Sequence, residues 1–196
     1  DYIDLESFAD QWLFYELNEE NSVNSSVYYY KDSDICGDGK LYASWPWDME
    51  HSLAREGGAA SSWFAAASDL KPEGYWMQFY HHRDFAEAVY KEWMTKFVPA
   101  LEKALNPETG YDPDGISSLD WYLGYYGTDA QINESRWNGS GFAEKLEKIR
   151  RIYTVRLDFL TEALGLYDTD YIYFYKENGI LYGVNAQEES IPVENP

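Results

Sequence analysis

The sequence predicts a helix-dominated α+β domain, and three observations carry that prediction. One is FAEKLEKIRRIYTVRLDFLTEALG, where apolar residues return at alternating spacings of three and four. A second is the run from about 84 to 105, with a large apolar residue at every fourth position. The third is a pair of Tyr-rich stretches, each folded back at a Gly-containing turn, Asp38-Gly39 and Asn178-Gly179. Helices and hairpins that occupy separate stretches of chain read as α+β.

In chain order, DLESFADQWLFYEL opens with a helix. Leu5, Phe8, Trp12 and Tyr15 lie on one face, Asp4 caps the start, and Glu6 suits the positive end of the dipole. SSVYYYKD and KLYASWPWD, on either side of Asp38-Gly39, form the first hairpin. GGAASS at 57–62 is too short for an interdomain linker. The helix over 84–105 takes Asp84 as its N-cap, buries Phe85, Val89, Trp93, Phe97, Leu101 and Leu105, and kinks at Pro99.

From Asn106 to about Gly141 the sequence is rich in Gly, Asp and Tyr, which predicts loops with a short helix near 119–126. The final helix buries Phe142, Leu146, Ile149, Tyr153, Leu157, Leu160 and Leu164 and closes at Gly165. YIYFYKENGILYGV is the second hairpin. Residues 1–190 read as part of a single domain and 191–196 as a linker or frayed end.

Charge narrows the function. The chain of 196 residues holds 35 Asp and Glu against 15 Lys and Arg, a net charge of −20. Proteins that bind nucleic acid neutralise phosphates with Lys and Arg, so that class is excluded, and anionic membrane surfaces are disfavoured for the same reason. No apolar run approaches the length of a membrane span. Aromatic residues make up 18% of the chain, ample material for a core. Cys36, the only cysteine, excludes an intrachain disulfide and sits in a turn sequence with no base beside it. A start at Asp1 without Met reads as a processed or trimmed fragment.

Several side chains are candidates for chemistry. Asp48 and Glu50 in WPWDMEHS would project to one side of an extended segment, and two such carboxylates suit Mg²⁺, which binds one or two carboxylates together with substrate phosphates. The alternative is an exposed acidic loop. His81 and His82 are adjacent, so they point about 100° apart on a helix and are poorly set to share a metal; they read as the lead-in to a helix. Asp112, Asp114 and Asp120 lack the ligand spacing and closing Glu of a calcium loop and read as a turn before a helix. Lys145, Lys148, Arg150, Arg151 and Arg156 read as a solvated face, with Glu144–Lys148 and Glu147–Arg151 paired at i, i+4. No glycine-rich phosphate loop and no GxSxG motif is present.

The order of these pieces resembles the CotH-like family, atypical protein kinases of the spore-coat-protein-H type. The resemblance rests on YEL (15–17), SSVYYYKD (25–32), GDGKLY (37–42), WPWDMEHS (45–52), HRDFAEAVYKEW, ESRW and RLDFL, in that order over most of residues 1–165. It implies the C-terminal lobe of a kinase-like fold, with the nucleotide-covering lobe and its phosphate-binding Lys upstream of Asp1. It implies Mg²⁺ and ATP as cofactors and transfer of phosphate to Ser or Thr of a protein substrate.

By the same resemblance Asp48 is the Mg²⁺ ligand of a DFG-type segment, Glu50 stands at a second acidic position, and Ser26 stands where such kinases place a metal-binding Asn. The catalytic-base position holds Asn21, with Glu20 beside it as the residue that substitutes after a shift of one. An amide takes up no proton near neutral pH. Impaired transfer, or a pseudokinase scaffold, is therefore also implied. A secreted bacterial protein of cellulosomal type, with a cohesin–dockerin context, is the implied setting. A rival of another class is a carbohydrate-binding module on exposed Trp and Tyr, opposed by helical spacings that bury most aromatic residues.

Overall fold

A computed structural model describes residues 2–20, 27–33, 35–49, 52–53, 60–63, 75–137, 141–165 and 171–193. It is helix-dominated, with small antiparallel sheets, as the α+β class requires. The chain divides into two compact units. One comprises residues 1–54, 63–93 and 160–196, the other 55–62 and 94–159.

The first unit is built around α1 (Leu5–Asn18). Asp4 caps it as expected, its Oδ1 accepting from Ser7 N–H at 2.8 Å. From Phe8 onward the helix is buried nearly all round, Gln11, Glu16 and Asn18 included, which marks a central helix and not a surface one. It packs against α3 (Arg83–Glu92) and against the first hairpin, β1 (Tyr29–Lys31) with β2 (Leu41–Ala43). The chain before α1 adds to β2's other edge through Asp4 N–H to Leu41 O and Leu41 N–H to Tyr2 O, both 2.9 Å.

Aromatic rings fill the space around α1. Phe8 meets Phe79, and Trp12 meets Trp63, Tyr80 and Phe85 at centroid distances of 5.0–6.1 Å. Phe79 and Tyr80 belong to α2 (Tyr75–Tyr80). The N-cap of α3 is His82 and not Asp84. Asp84 lies two residues further on, within the first turn, where its Oδ1 accepts from its neighbour Phe85 N–H at 2.9 Å. His82 is held in extended geometry by its bridge to Tyr173, so the sheet fixes where the helix begins.

The second hairpin, β3 (Tyr173–Glu177) with β4 (Ile180–Val184), turns at Asn178-Gly179, where φ is 51° and 82°. A two-residue turn with both φ positive matches the strand twist. The tail expected to fray instead forms β5 (Ser190–Pro192) on the free edge of β4, its Pro on an edge strand where a missing N–H is tolerated.

Just before Pro99 the helical chain passes through a π turn, Trp93–Phe97, between α3 and α4 (Val98–Leu105). Proline's ring collides with the carbonyl four residues back, here Thr95, and the wider π turn relieves that collision. In the second unit, α5 (Leu119–Trp137) runs for 19 residues where only a short helix near 119–126 was expected. Its two glycines, Gly124 and Gly127, are tolerated inside a single helix. Ser118 Oγ accepts from Trp121 N–H to start it.

Helix α6 (Phe142–Gly165) has the expected bounds, but its fully buried line is Ile152, Arg156, Leu160 and Leu164. Arg156 is therefore no part of a solvated face. Its Nη1 donates to Ala60 O at 2.8 Å and Ser62 O at 2.6 Å, and the guanidinium lies 5.4 Å from the Phe159 ring centre. Arg150 pairs with Asp120 at 2.9 Å and with Glu147 at i, i+3 and 3.2 Å.

Candidate functional site

The C-terminal end of α1 gathers more sequence-predicted site residues than any other part of the described structure. The helix ends at Asn18, and Glu19 turns the chain in left-handed geometry with φ 52° and ψ 44°. Glycine is the usual residue at such a turn, because a Cβ there costs roughly 1–2 kcal/mol. Glu20 N–H then donates back to Tyr15 O at 3.1 Å.

The segment after β2 folds across this end. Trp47 N–H donates to Tyr15 Oη at 3.4 Å, Ser52 Oγ donates to Glu20 Oε2 at 2.8 Å, and Leu53 N–H donates to Asn18 O at 2.7 Å. Asp48 and Leu53 both hold positive φ, 61° and 56°. Of the five left-handed residues other than glycine in the described chain, Glu19, Asp48 and Leu53 all lie at this corner. Leu53 is the most telling, since a bulky side chain is costly there.

Charge is out of place as well. Glu16, Glu19 and Glu20 are all wholly buried at the negative end of a helix dipole, where cations are preferred. Local rules broken together at one place mark a functional site more often than a structural one.

Tyr15 feels the charge of both acids. Its hydroxyl pKa is raised above 10.0, first by burial and then by the charges of Glu20, Tyr29 and Asp48, against the opposing Trp47 N–H. Glu20 and Asp48, predicted from separate motifs, are thus brought to one tyrosine. Asp48 is exposed, while Glu20 is buried and engaged by Ser52. With its left-handed φ, Asp48 does not stand on an extended run, so the i, i+2 argument pairing it with Glu50 does not describe its backbone. Glu50, Asn21 and Ser26 lie outside the described residues.

Among the described residues no group of three His, Cys, Asp or Glu could hold a metal ion. Mg²⁺ asks for less, one or two hard carboxylates with phosphate oxygens completing its shell, and the exposed Asp48 carboxylate fits that donor chemistry. The other candidates do not converge. His82 stacks on Tyr173 at 5.5 Å, Asp112 meets Lys103 at 3.4 Å, and Cys36 is exposed in a turn.

Sequence reading missed Tyr15 and Ser52 as parts of this corner. Tyr15 was assigned to the core by its helical spacing. Ser52 carried no signal, because its partner lies 32 positions away. The aromatic residues also depart from expectation. Trp45, Trp47 and Trp137 are 88%, 62% and 73% exposed, so helical periodicity does not bury them.

No protein-family model, curated protein or solved structure matches this chain.

Proposed function

We propose that this chain is the C-terminal-lobe part of a CotH-like kinase that transfers phosphate from Mg·ATP to a Ser or Thr hydroxyl of a protein, and does so slowly. The observation that carries the reading is the strained corner that brings Asp48 and Glu20 together around Tyr15. In this reading the exposed Asp48 holds the metal, with Glu50 as the second acidic ligand and Ser26 in the role of the metal-binding Asn. A bound Mg²⁺ would supply charge neutralisation at the phosphates. Tyr15 and Ser52 position the segment, one through Trp47 N–H and the other through Glu20.

The weak point is the base. Asn21 cannot take a proton, and Glu20 is buried with one oxygen already accepting from Ser52. Loss of general-base assistance lowers a rate by roughly 10²–10⁴-fold, which leaves positioning and electrostatics to sustain slow transfer. A pseudokinase scaffold in a secreted, cellulosomal-type protein is the limiting case of the same reading.

The test is calorimetric titration of the intact protein with Mg·ATP, beside a phosphoryl-transfer assay. Asp48→Ala should abolish binding. Asn21→Asp should raise transfer, and Glu20→Gln should remove what remains if Glu20 is the working base. Equal nucleotide affinity in wild type and Asp48→Ala refutes the reading. A second reading, carbohydrate binding, is favoured by the exposed Trp45 and Trp47. Oligosaccharide binding lost in Trp45→Ala, with no nucleotide binding, would select it.

A further inference from the structure

Helix α5 is an anomaly of packing. Of its 19 residues only Leu119 is buried. Along its first two turns it instead shows a contiguous set of aromatic rings. Tyr111, from the preceding turn, stacks on Trp121 at 4.8 Å, and Trp121 stacks on Tyr125 at 5.0 Å. Tyr122 and Tyr126 lie parallel to each other, 6.3 Å apart and 10° from coplanar, with Tyr126 edge-on to Tyr125 at 4.8 Å. The outermost rings, Tyr111 and Tyr125, are 61% and 65% exposed.

The charge beside the rings is acidic on balance. The helix carries Asp120, Asp129 and Glu134, and its one basic residue, Arg136, lies in the last turn, beyond the aromatic set. Asp120 is paired with Arg150, and Glu134 accepts from Phe142 N–H at 2.6 Å. Asp129 is exposed, four residues on from Tyr125 and three from Tyr126, so it shares their side of the helix.

We propose that this face docks an arginine-containing basic segment of a partner protein. Guanidinium groups stack on Tyr and Trp faces more often than ammonium groups do, and Asp129 supplies the bidentate acceptor a stacked guanidinium seeks. Complementarity of charge selects this occupant. A second copy of a chain at −20, or a nucleic acid, would bring repulsion to an acidic aromatic face. A neutral glycan gains nothing from the acidic field, and its hydroxyls give Asp129 only neutral hydrogen bonds in place of the stronger charge-assisted ones. None of these residues belongs to the Asp48–Glu20 corner, so the two readings stand or fall separately.

The experiment titrates the intact protein with an alternating Arg-Gly octapeptide, its Lys-Gly and citrulline-Gly counterparts, and cellohexaose, in about 0.15 M salt to screen long-range charge. The Arg peptide should bind best and the citrulline peptide and cellohexaose not at all. Each exposed ring is worth roughly a two- to fivefold change, so Tyr125→Ala with Tyr126→Ala should weaken binding about tenfold. Tyr125→Leu keeps the apolar bulk but loses the π face, and it should weaken binding about as much as Tyr125→Ala. Asp129→Asn should also weaken binding, while Glu102→Gln, an exposed acid on α4, should not. These side chains are exposed, so the substitutions spare the core, and unchanged circular dichroism verifies it. Equal losses in Glu102→Gln and Asp129→Asn with none in the tyrosine variants would reduce the effect to bulk charge and overturn the proposal. Binding of cellohexaose in place of the Arg peptide would overturn it too.

Discussion

Arg156 offers a direct test of how the second unit is held together. Its side chain is wholly buried, and Nη1 bonds the carbonyls of Ala60 and Ser62 at 2.8 and 2.6 Å. Arg156→Met keeps the apolar stem but removes the guanidinium and with it both hydrogen bonds. A hydrogen bond from a charged group is worth about 1.5–3 kcal/mol, and the buried bond to Ala60 O should lose nearly all of that. Ser62 is exposed, so its carbonyl can turn to water, and its loss is nearer 0.5–1 kcal/mol. The stacking on Phe159 adds about 1 kcal/mol. Opposing these, Met releases the desolvation cost of a buried cation. With the structural losses dominant, the net is about 3 kcal/mol of destabilisation. At an m-value near 2 kcal/mol/M, that lowers the urea midpoint by about 1.5 M. Arg156→Lys keeps a charged nitrogen with three donors for the two carbonyls but on a shorter stem and without the planar stack on Phe159, and should lose about half as much. Urea unfolding followed by far-ultraviolet circular dichroism and tryptophan fluorescence reads both variants. A Met variant as stable as wild type would show that desolvation outweighs the clamp and refute the reasoning.

Two pH effects follow from named neighbours. Burial, then the charge of His82, holds the His81 pKa below 6.5, so the unfolded chain binds a proton that the folded chain refuses. Its contribution is complete above about pH 6.5 and is lost as pH falls through the folded value; His81→Gln should flatten that part of a stability–pH curve, and an unchanged slope would refute it. Asp38 Oδ2 accepts from Tyr42 Oη at 2.8 Å, which pushes the tyrosine pKa up to about 12. Asp38→Asn should return it toward 10.0 in an ultraviolet titration, and no change would show that the contact does not form in solution.

Periodicity made the helices legible because α1, α3 and α6 each repeat an apolar residue at three or four positions, and packing then follows the repeat. Asn178-Gly179 was legible for a different reason, since few residue pairs accept two positive φ angles. The misreadings have two causes. The tail at 190–192 and the burial of Arg156 are decided by partners far along the chain or by backbone pairing that leaves no periodic mark, and residues 127–137 are an exposed helix with no apolar stripe to announce it. Arg156 illustrates the first. Residue type says surface, yet its stem occupies an apolar line while two carbonyls from 94 and 96 residues away take its head.

The corner at the end of α1 was half legible for the same physical reason. Asp48 and Glu20 were singled out as acids in ordered motifs, a property of residue type and sequence position. What joins them is invisible at that level: a tyrosine hydroxyl taking the Trp47 N–H, a serine holding Glu20, and left-handed backbone at Glu19, Asp48 and Leu53. Each left-handed residue costs of order 1–3 kcal/mol that simpler turns would avoid. Glycine at 19 and 53 would remove most of that strain without disturbing any bond drawn there by a backbone N–H. That the sequence keeps Glu and Leu is intelligible if the side chains themselves are needed, Glu19 as part of the buried acidic end of the helix and Leu53 as the half-buried anchor for the strand-to-loop segment carrying Asp48. The strain is then the consequence of fixing the segment that carries the exposed Asp48 across the buried acidic end of α1.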